Sequence, residues 1–466
     1  MAMGTRSNDP VQGELFVTSA DLPRSLGHPF YAKLNRLLDE AGFDRFVEST
    51  CASCYDAGVV GGRPSIPPGT YFRMLFVGYF EGIDSQRGIA WRCADSLALR
   101  EFLGLSWRES SPDHSSLTRI RQRLDTTVHH AVFEWVLNLC AAKKLLTDPS
   151  AVGVDSTTLE ANAAMRSIVR RDTQETYKEY LRTLLKDEGV ENPSDEDLRK
   201  FDKNRKKTCS NEEWESPTDP AAKIAKMKDG RTHLAYKAEH VVDLDSEVIL
   251  AAAIYPADVS DKTTLTDSVM TARCHLTQAG LTDLAIDAAA GDKGYHSREQ
   301  LALASCFSVR TYVAEPDRPY RNRWTQSPTE HQQAVYANRR RVKGDHGRAL
   351  QRLRSEKVER SFAHVCETGG SRRSWLRGFE KIRKRYAMAA AARNLGLLMR
   401  TLFGIGKPRT LQSDSPPAGN GGKDGSDSDE SLKTPESLLR QLIRRLRMPF
   451  PADKASFDTR CQIVVA

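Results

Sequence analysis

Apolar residues recur at helical spacing through the first third of the chain. Leu34 and Leu38 belong to such a pattern, and Gly42 breaks it, so a helix, a turn and a second helix are expected. After a Gly- and Pro-rich stretch, residues 70–92 form a strongly apolar segment that predicts one long helix. The pattern therefore predicts a helical domain over residues 29–146.

Short apolar runs of strand character begin near residue 151. Residues 165–229 are by contrast highly charged and mostly helix-like, and we interpret them as an insertion after the first strand. The other predicted elements are a hairpin over residues 233–254, a helix over 262–279, strands over 281–287 and 308–314, and long helices up to residue 403. This order predicts an α/β domain over residues 147–403, with a mixed sheet flanked by helices.

The two ends of the chain lack this periodicity. Residues 1–28 are predicted to be a flexible N-terminus, and residues 404–434, rich in Ser, Asp, Gly, Pro and Lys, a disordered linker. A short basic amphipathic helix over residues 438–448 is expected in the C-terminal segment 435–466, either docked on the core or touching nucleic acid.

Basic residues are unevenly distributed. The net charge is +8, and basic side chains crowd into residues 339–400, where acids are few. This pattern is typical of a protein that binds a polyanion, although a solvated basic face would look the same. A second basic group, Arg119, Arg121 and Arg123, is expected to project from a helix that begins after the turn at Asp113. The group suits a helix-turn-helix DNA reader, or serves solubility.

No apolar stretch is long enough to cross a bilayer, and the first residues lack the apolar core of a secretion signal. We therefore expect a cytoplasmic protein that associates with the nucleoid rather than with a membrane. Nine cysteines, mostly scattered, indicate reduced thiols. Cys51 and Cys54 could form half of a zinc site, but no second pair follows them.

Carboxylates at predicted strand ends suggest metal-dependent chemistry. Asp155 follows the apolar run of the first strand, and Asp292 lies on a Gly-flanked loop close after the segment 281–287. Glu356 and Glu359 lie one helical turn apart in a later helix, and either could join them. Two or three carboxylates can hold the pair of Mg²⁺ or Mn²⁺ ions that stabilises both oxygens in the cleavage of a phosphodiester.

Several of these segments together resemble the DDE transposases of bacterial insertion sequences, whose catalytic domain is RNase H-like and whose three acids are Asp, Asp and Glu. The matching segments are Asp113 to Arg119, Gly153 to Thr157, Tyr236 to His240, Gly291 to Ser297, Val358 to Phe362, and Arg377 to Lys381, followed by Ala389 to Leu398. The resemblance spans roughly residues 29–403.

The resemblance implies an enzyme that binds terminal inverted repeats in double-stranded DNA, cleaves the ends and joins them to target DNA. It assigns the catalytic and metal-binding roles to Asp155, Asp292 and Glu359, with Asp287 and Glu356 as competitors. Candidate DNA contacts are Arg119, Arg121, Arg123, Lys237, Lys293, Arg354, Arg360, Arg377 and Lys381. Lys237, His240 and Lys293 could instead orient the acids. Two transposon ends require a homodimer or a higher oligomer.

Two other functions remain open. A transposase relic could bind DNA without cutting it, and an RNase H-like nuclease could hydrolyse strands without joining them. Trp324 and Trp375 could stack on an extruded base, although burial in the core is the simpler interpretation.

Overall fold

The structure is a computed structural model that describes residues 28–55, 65–106, 109–205, 209–227, 230–316, 324 and 328–411. The predictions for the N-terminal segment, for most of the linker and for the C-terminal helix lie outside these residues. Among the described residues no helix is long and apolar enough to cross a membrane. The described part of the chain up to Arg409 belongs to one compact unit.

Seven helices make up the N-terminal region described here: α1 (Pro29–Glu40), α2 (Phe43–Cys51), α3 (Pro68–Glu81), α4 (Gln86–Asp95), α5 (Leu97–Phe102), α6 (His114–Arg123) and α7 (Thr126–Ala142). Gly42 adopts a left-handed φ of 71° between α1 and α2, as the sequence suggested. The single helix predicted over residues 70–92 is wrong. Gly82 ends α3 with a φ of 68°, and the Ser85 hydroxyl caps a new helix.

The α/β region is built on a six-stranded mixed sheet with the strand order β4-β5-β1-β7-β8, and β6 pairs with β5. Its strands are β1 (Ala151–Glu160), β4 (Lys223–Lys226), β5 (Thr232–Asp243), β6 (Ile249–Pro256), β7 (Ala288–Gly291) and β8 (Arg310–Val313). The first strand is antiparallel to β5 and parallel to β7. The predicted α/β class with a mixed sheet is confirmed.

The charged insertion contains the small strands β2 (Val169–Arg170) and β3 (Trp214–Glu215) and the helices α8 (Tyr177–Asp187) and α9 (Asp195–Asn204). Its last strand, β4, extends the main sheet. The strand predicted over residues 281–287 is wrong, because Gly280 ends the preceding helix, α10 (Leu265–Gln278), and a loop fills this segment. The small residues that follow this loop form the strand β7, which fits between β1 and β8.

Four further helices flank the sheet: α11 (Arg298–Cys306), α12 (Thr329–Lys343), α13 (Asp345–Phe362) and α14 (Phe379–Phe403). Of these, α13 lies directly on β1, where a Cβ atom added to Gly153 would be 2.7 Å from a methyl carbon of Val358. The close approach requires glycine at this point of the strand. The buried α14 packs against both β6 and the helices α3 and α7, so it joins the helical region to the sheet.

Candidate active site

Asp155 and Asp292 lie side by side at one edge of the parallel strands. Val154 and Gly291 are partners in the pairing of β1 with β7, and each acid is the next residue along its chain. The carboxylate of Asp292 accepts a hydrogen bond of 2.8 Å from the Gly294 backbone N–H, which closes a short 3₁₀ turn. The carboxyl ends of neighbouring parallel strands are where open α/β sheets place ligands.

The competing acid Asp287 stands at the opposite end of the same strand. It precedes β7, its side chain is 52% exposed, and its nearest cation is Arg310, at 3.9 Å. It therefore lies away from Asp155, whereas Asp292 directly follows the strand. The sequence-based prediction placed the strand one segment too early, which left Asp287 as a competitor of the assigned Asp292.

Asp155 is largely buried and carries a direct ion pair. Burial raises the pKa of its carboxyl group above the ordinary value. The hydrogen bond from the Ser156 N–H and the Arg354 guanidinium act in the opposite direction, and the carboxylates of Asp292 and Asp261 raise the pKa further. Arg354 Nη1 lies 2.7 Å from Asp155 Oδ2. A positive group is thus already held against the first acid.

Asp261, which the sequence did not single out, is a third carboxylate of this cluster. A Cβ atom added to Gly294 would lie 3.4 Å from Asp261 Oδ2 and 2.9 Å from Asp292 Oδ1. The distance between these two carboxylate oxygens therefore cannot exceed the sum of the two values. The Ser156 hydroxyl donates to Asp261 at 2.9 Å. Only the fold brings Asp261, in the short 3₁₀ helix that precedes α10, to this strand edge, and no motif marked it.

Lys237 neutralises this side of the cluster from within the protein. Its ammonium group is 2.6 Å from Asp261 and 3.2 Å from Glu239, and both Lys237 and Glu239 are almost fully buried. The Tyr295 hydroxyl donates to Glu239 at 2.9 Å. Lys237 is therefore a buried counter-ion here, which corresponds to the interpretation that it orients the acids rather than contacting DNA.

Glu359 and Glu356 occupy different sides of α13. The residues Gln351, Ser355 and Glu359 follow one ridge of the helix, at a spacing of four. On this ridge Gln351 donates to the backbone oxygen of Gly291, next to Asp292, and the Ser355 hydroxyl donates to Glu359. Glu356 pairs instead with Arg360.

Arg360 in turn pairs with Glu247 in the β5–β6 hairpin, which places Glu356 on the hairpin side of the helix. Glu359 is the glutamate on the side of β7. It is exposed, and no contact within the described residues joins it to Asp155 or Asp292.

His240 is an internal residue and not a surface contact. It is the partner of Asp155 in the pairing of β5 with β1. Its Nδ1 is 2.7 Å from the Ser361 hydroxyl, its Nε2 is 2.8 Å from the Tyr386 hydroxyl, and its ring stacks on Phe362. Burial lowers its pKa to about 3, so the ring is neutral. It joins α13 and α14 to β5, the strand that pairs with the one carrying the first acid.

The predicted DNA contacts fall into two groups. Arg119, Arg123, Lys293 and Arg377 are exposed, and Lys381 is partly exposed. The rest are engaged internally: Lys237, Arg354 and Arg360 in the ion pairs above, and Arg121 by burial. The expectation that all three arginines of α6 project outwards is therefore wrong for Arg121, which faces the neighbouring helices at 7% exposure.

Many basic side chains between residues 339 and 400 are likewise structural. Arg339 pairs with Glu315, and Arg393 is buried beside Glu247. Among the tryptophans, Trp324 stacks beside Arg298, while Trp375 is 46% exposed and donates to Asp84. The expectation of a buried aromatic is wrong for Trp375.

The donor chemistry of the site fits a hard divalent cation, because the facing groups are carboxylate oxygens and Mg²⁺ needs only one or two of them beside water. Within the described part of the chain, however, no group of three or more His, Cys, Asp or Glu side chains is arranged to hold a metal ion. Cys51 and Cys54 are free thiols, and among the described residues they belong to no such metal-binding group either. Asp155 and Asp292 are thus in place as a pair, without Glu359.

The architecture places the chain in the class of RNase H-like DDE proteins with a helical N-terminal region. Residues 19–123 match the family model of a transposase domain (DUF772), and residues 194–395 match that of the transposase DDE domain. The chain belongs to the DDE transposases of insertion sequences. Asp292 and Glu359 lie inside the second match, and Asp155 precedes it. No curated protein and no solved structure matches the chain significantly.

Proposed function

We propose that the protein binds the terminal inverted repeats of its insertion sequence, cleaves the DNA strands there and joins the freed ends to target DNA. The observation that carries this proposal is the adjacency of Asp155 and Asp292 at the point where the parallel pairing of β1 with β7 ends, under a helix that bears Glu359. Membership of the transposase family makes DNA the substrate class.

In this proposal Asp155, Asp292 and Glu359 hold Mg²⁺ or Mn²⁺. Bound divalent ions supply the charge that stabilises the attacking and leaving oxygens of the scissile phosphate. The protein's own contribution is positional. The strand pairing fixes the first two acids, and Lys237 compensates the charge of Asp261 and Glu239 beside them. Arg354 balances the charge of Asp155 when no metal ion is bound, and its guanidinium suits a DNA phosphate equally well.

The DNA contacts are assigned to side chains that reach the surface. Arg119 and Arg123 extend from α6, Lys293 follows Asp292 directly, and Arg377 and Lys381 lie beyond the end of β1 and in the first turn of α14. Each such contact neutralises a phosphate and makes binding dependent on salt. We propose a homodimer on DNA, because two ends must be held together.

The proposal is tested with DNA that carries the element's own ends, in a cleavage and strand-transfer assay. Wild-type protein should produce cut and joined strands with Mg²⁺ or Mn²⁺ and none with EDTA. The Asp155→Asn and Asp292→Asn variants should bind the same DNA without cutting it. Retained cleavage by either variant would contradict the assignment of these residues.

The relic remains the second candidate, and one observation favours it. The described residues contain no preformed group of three metal-binding side chains. Binding of the end DNA by wild-type protein, without cleavage in either metal ion, would support the relic. Cleaved strands without joined products would instead support the nuclease.

A further inference from the structure

A cavity of about 170 Å³ lies between the helical region and α14, away from the carboxylate cluster. Two arginines line it: Arg121 from α6 and Arg385 from α14. Tyr71, Ser371 and Trp375 contribute to the rest of its wall. The cavity is larger than a single water molecule requires, and its wall combines aromatic surface with two guanidinium groups.

Among the described residues, neither arginine forms an ion pair with a carboxylate. The Nε atom of Arg121 is buried without a hydrogen-bond partner, and no ion pair of its side chain is found among the described residues. Within the described part of the chain, Arg385 donates to one acceptor, the backbone oxygen of Gly370, at 3.2 Å. The Oγ of Ser371, also buried, lacks a partner as well. Buried charges in proteins are normally paired, so the buried and unpaired guanidinium group of Arg121, beside a second arginine, is unusual.

One carboxylate, Asp84, also lines the cavity. Asp84, the carboxylate that acts on Arg385, accepts the hydrogen bond of the Trp375 indole and does not form an ion pair with Arg385. Lys384 is buried beside Arg121, donates to its backbone oxygen and pairs with Glu380. Burial lowers the pKa of Arg385 to about 10, which still leaves it charged at neutral pH.

We propose that this cavity binds a phosphate group between Arg121 and Arg385. The planar fork of guanidinium donors matches phosphate oxygens, and Ser371 supplies a further hydroxyl donor. The phosphate could come from the DNA backbone or from free inorganic phosphate. The first source rests on the proposed transposase function, whereas the second does not.

A phosphate bound in the cavity would also act on the strand that carries Asp155. The segment that contains Ser371 continues along the end of β1, where Arg372 donates to the Thr157 hydroxyl at 3.0 Å and Ser374 N–H to the Glu160 oxygen. A phosphate bound here would join α6 and α14 to the loop that borders the strand of Asp155.

The test measures thermal unfolding of the full chain against inorganic phosphate, with chloride at equal ionic strength as the reference. We expect a saturable rise in Tm that is lost in Arg121→Gln and in Arg385→Gln. The exposed α1 arginine provides the matched control, and Arg36→Gln should keep the response. If phosphate raises the Tm no more than chloride does, or raises it equally in the variants, the proposal is overturned.

Two additions keep the test decisive. Arg121→Lys and Arg385→Lys retain the positive charge but lose the planar guanidinium donors. A weaker rise in Tm with phosphate in these variants therefore supports the phosphate site even where a Gln variant does not fold. Duplex DNA binding then distinguishes the sources. A loss of about tenfold or more in both Gln variants, with competition by phosphate, identifies the DNA backbone. Affinity equal to that of Arg36→Gln identifies free phosphate. Either result is independent of cleavage.

Discussion

Replacing Gly153 by alanine tests how α13 lies on the first strand. The new Cβ would be 2.7 Å from Val358 Cγ2, 2.9 Å from Leu244 Cδ2 and 3.1 Å from Arg354 Cγ. Ordinary carbon contacts are about 3.5–4.0 Å, so all three neighbours would have to move. Val358 is fully buried and β-branched, which leaves it little room to rotate.

Overpacking of this kind costs about 1–3 kcal/mol, which at about 2–4 °C per kcal/mol corresponds to a loss of about 2–12 °C in Tm. The displaced helix carries both Arg354 and Glu359, so DNA cleavage should fall further than stability does. Thermal unfolding and single-turnover cleavage measure the two effects.

The control is Gly344→Ala, just before α13, where the nearest atom would be at an ordinary 3.5 Å. If Gly153→Ala keeps the wild-type Tm and cleavage rate, the helix does not lie on β1 as described.

Three further changes probe the electrostatics. In Arg354→Gln the pKa of Asp155 should rise, so the acid limb of the pH–rate profile should move to higher pH; an unmoved limb would contradict the ion pair. Lys237→Met leaves Glu239 buried without its cation and should cost about 3–5 kcal/mol in a denaturant titration, and a near-zero cost would refute this.

Burial raises the pKa of Glu134 to about 7 from 4.5, so its contribution to stability is lost as pH rises through that interval. Glu134→Gln should therefore gain up to about 3 kcal/mol at about pH 8 relative to about pH 5. An unchanged pH dependence of unfolding would count against this assignment.

Local signals in the sequence predicted much of the fold. The hairpin over residues 233–254, the helix that begins after Asp113 and the break at Gly42 depend on short-range chemistry, and the structure contains all three. The strand before Asp292 was misplaced because its residues, alanines and a glycine, carry no strand preference of their own. Their place between two strands is decided by tertiary packing.

The candidate site was predictable only in part. Asp155 and Asp292 were found because each follows an apolar segment, but Asp261 reaches them from a distant helix start, and no spacing rule connects it to them. Nothing in the sequence indicated that Arg121 and Lys237 are buried. A lone basic residue on a helix or strand reads as exposed until its neighbours in space are known.

The most direct test of the central claim is single-turnover cleavage of element-end DNA by Asp155→Asn, Asp292→Asn and Glu359→Gln, with Glu356→Gln as the matched control. We predict that the first three bind the DNA and do not cut it. The control loses only the surface ion pair to Arg360 and should cut at close to the wild-type rate. Cleavage by any of the three at the wild-type rate, or an equal loss in Glu356→Gln, would contradict the assigned site.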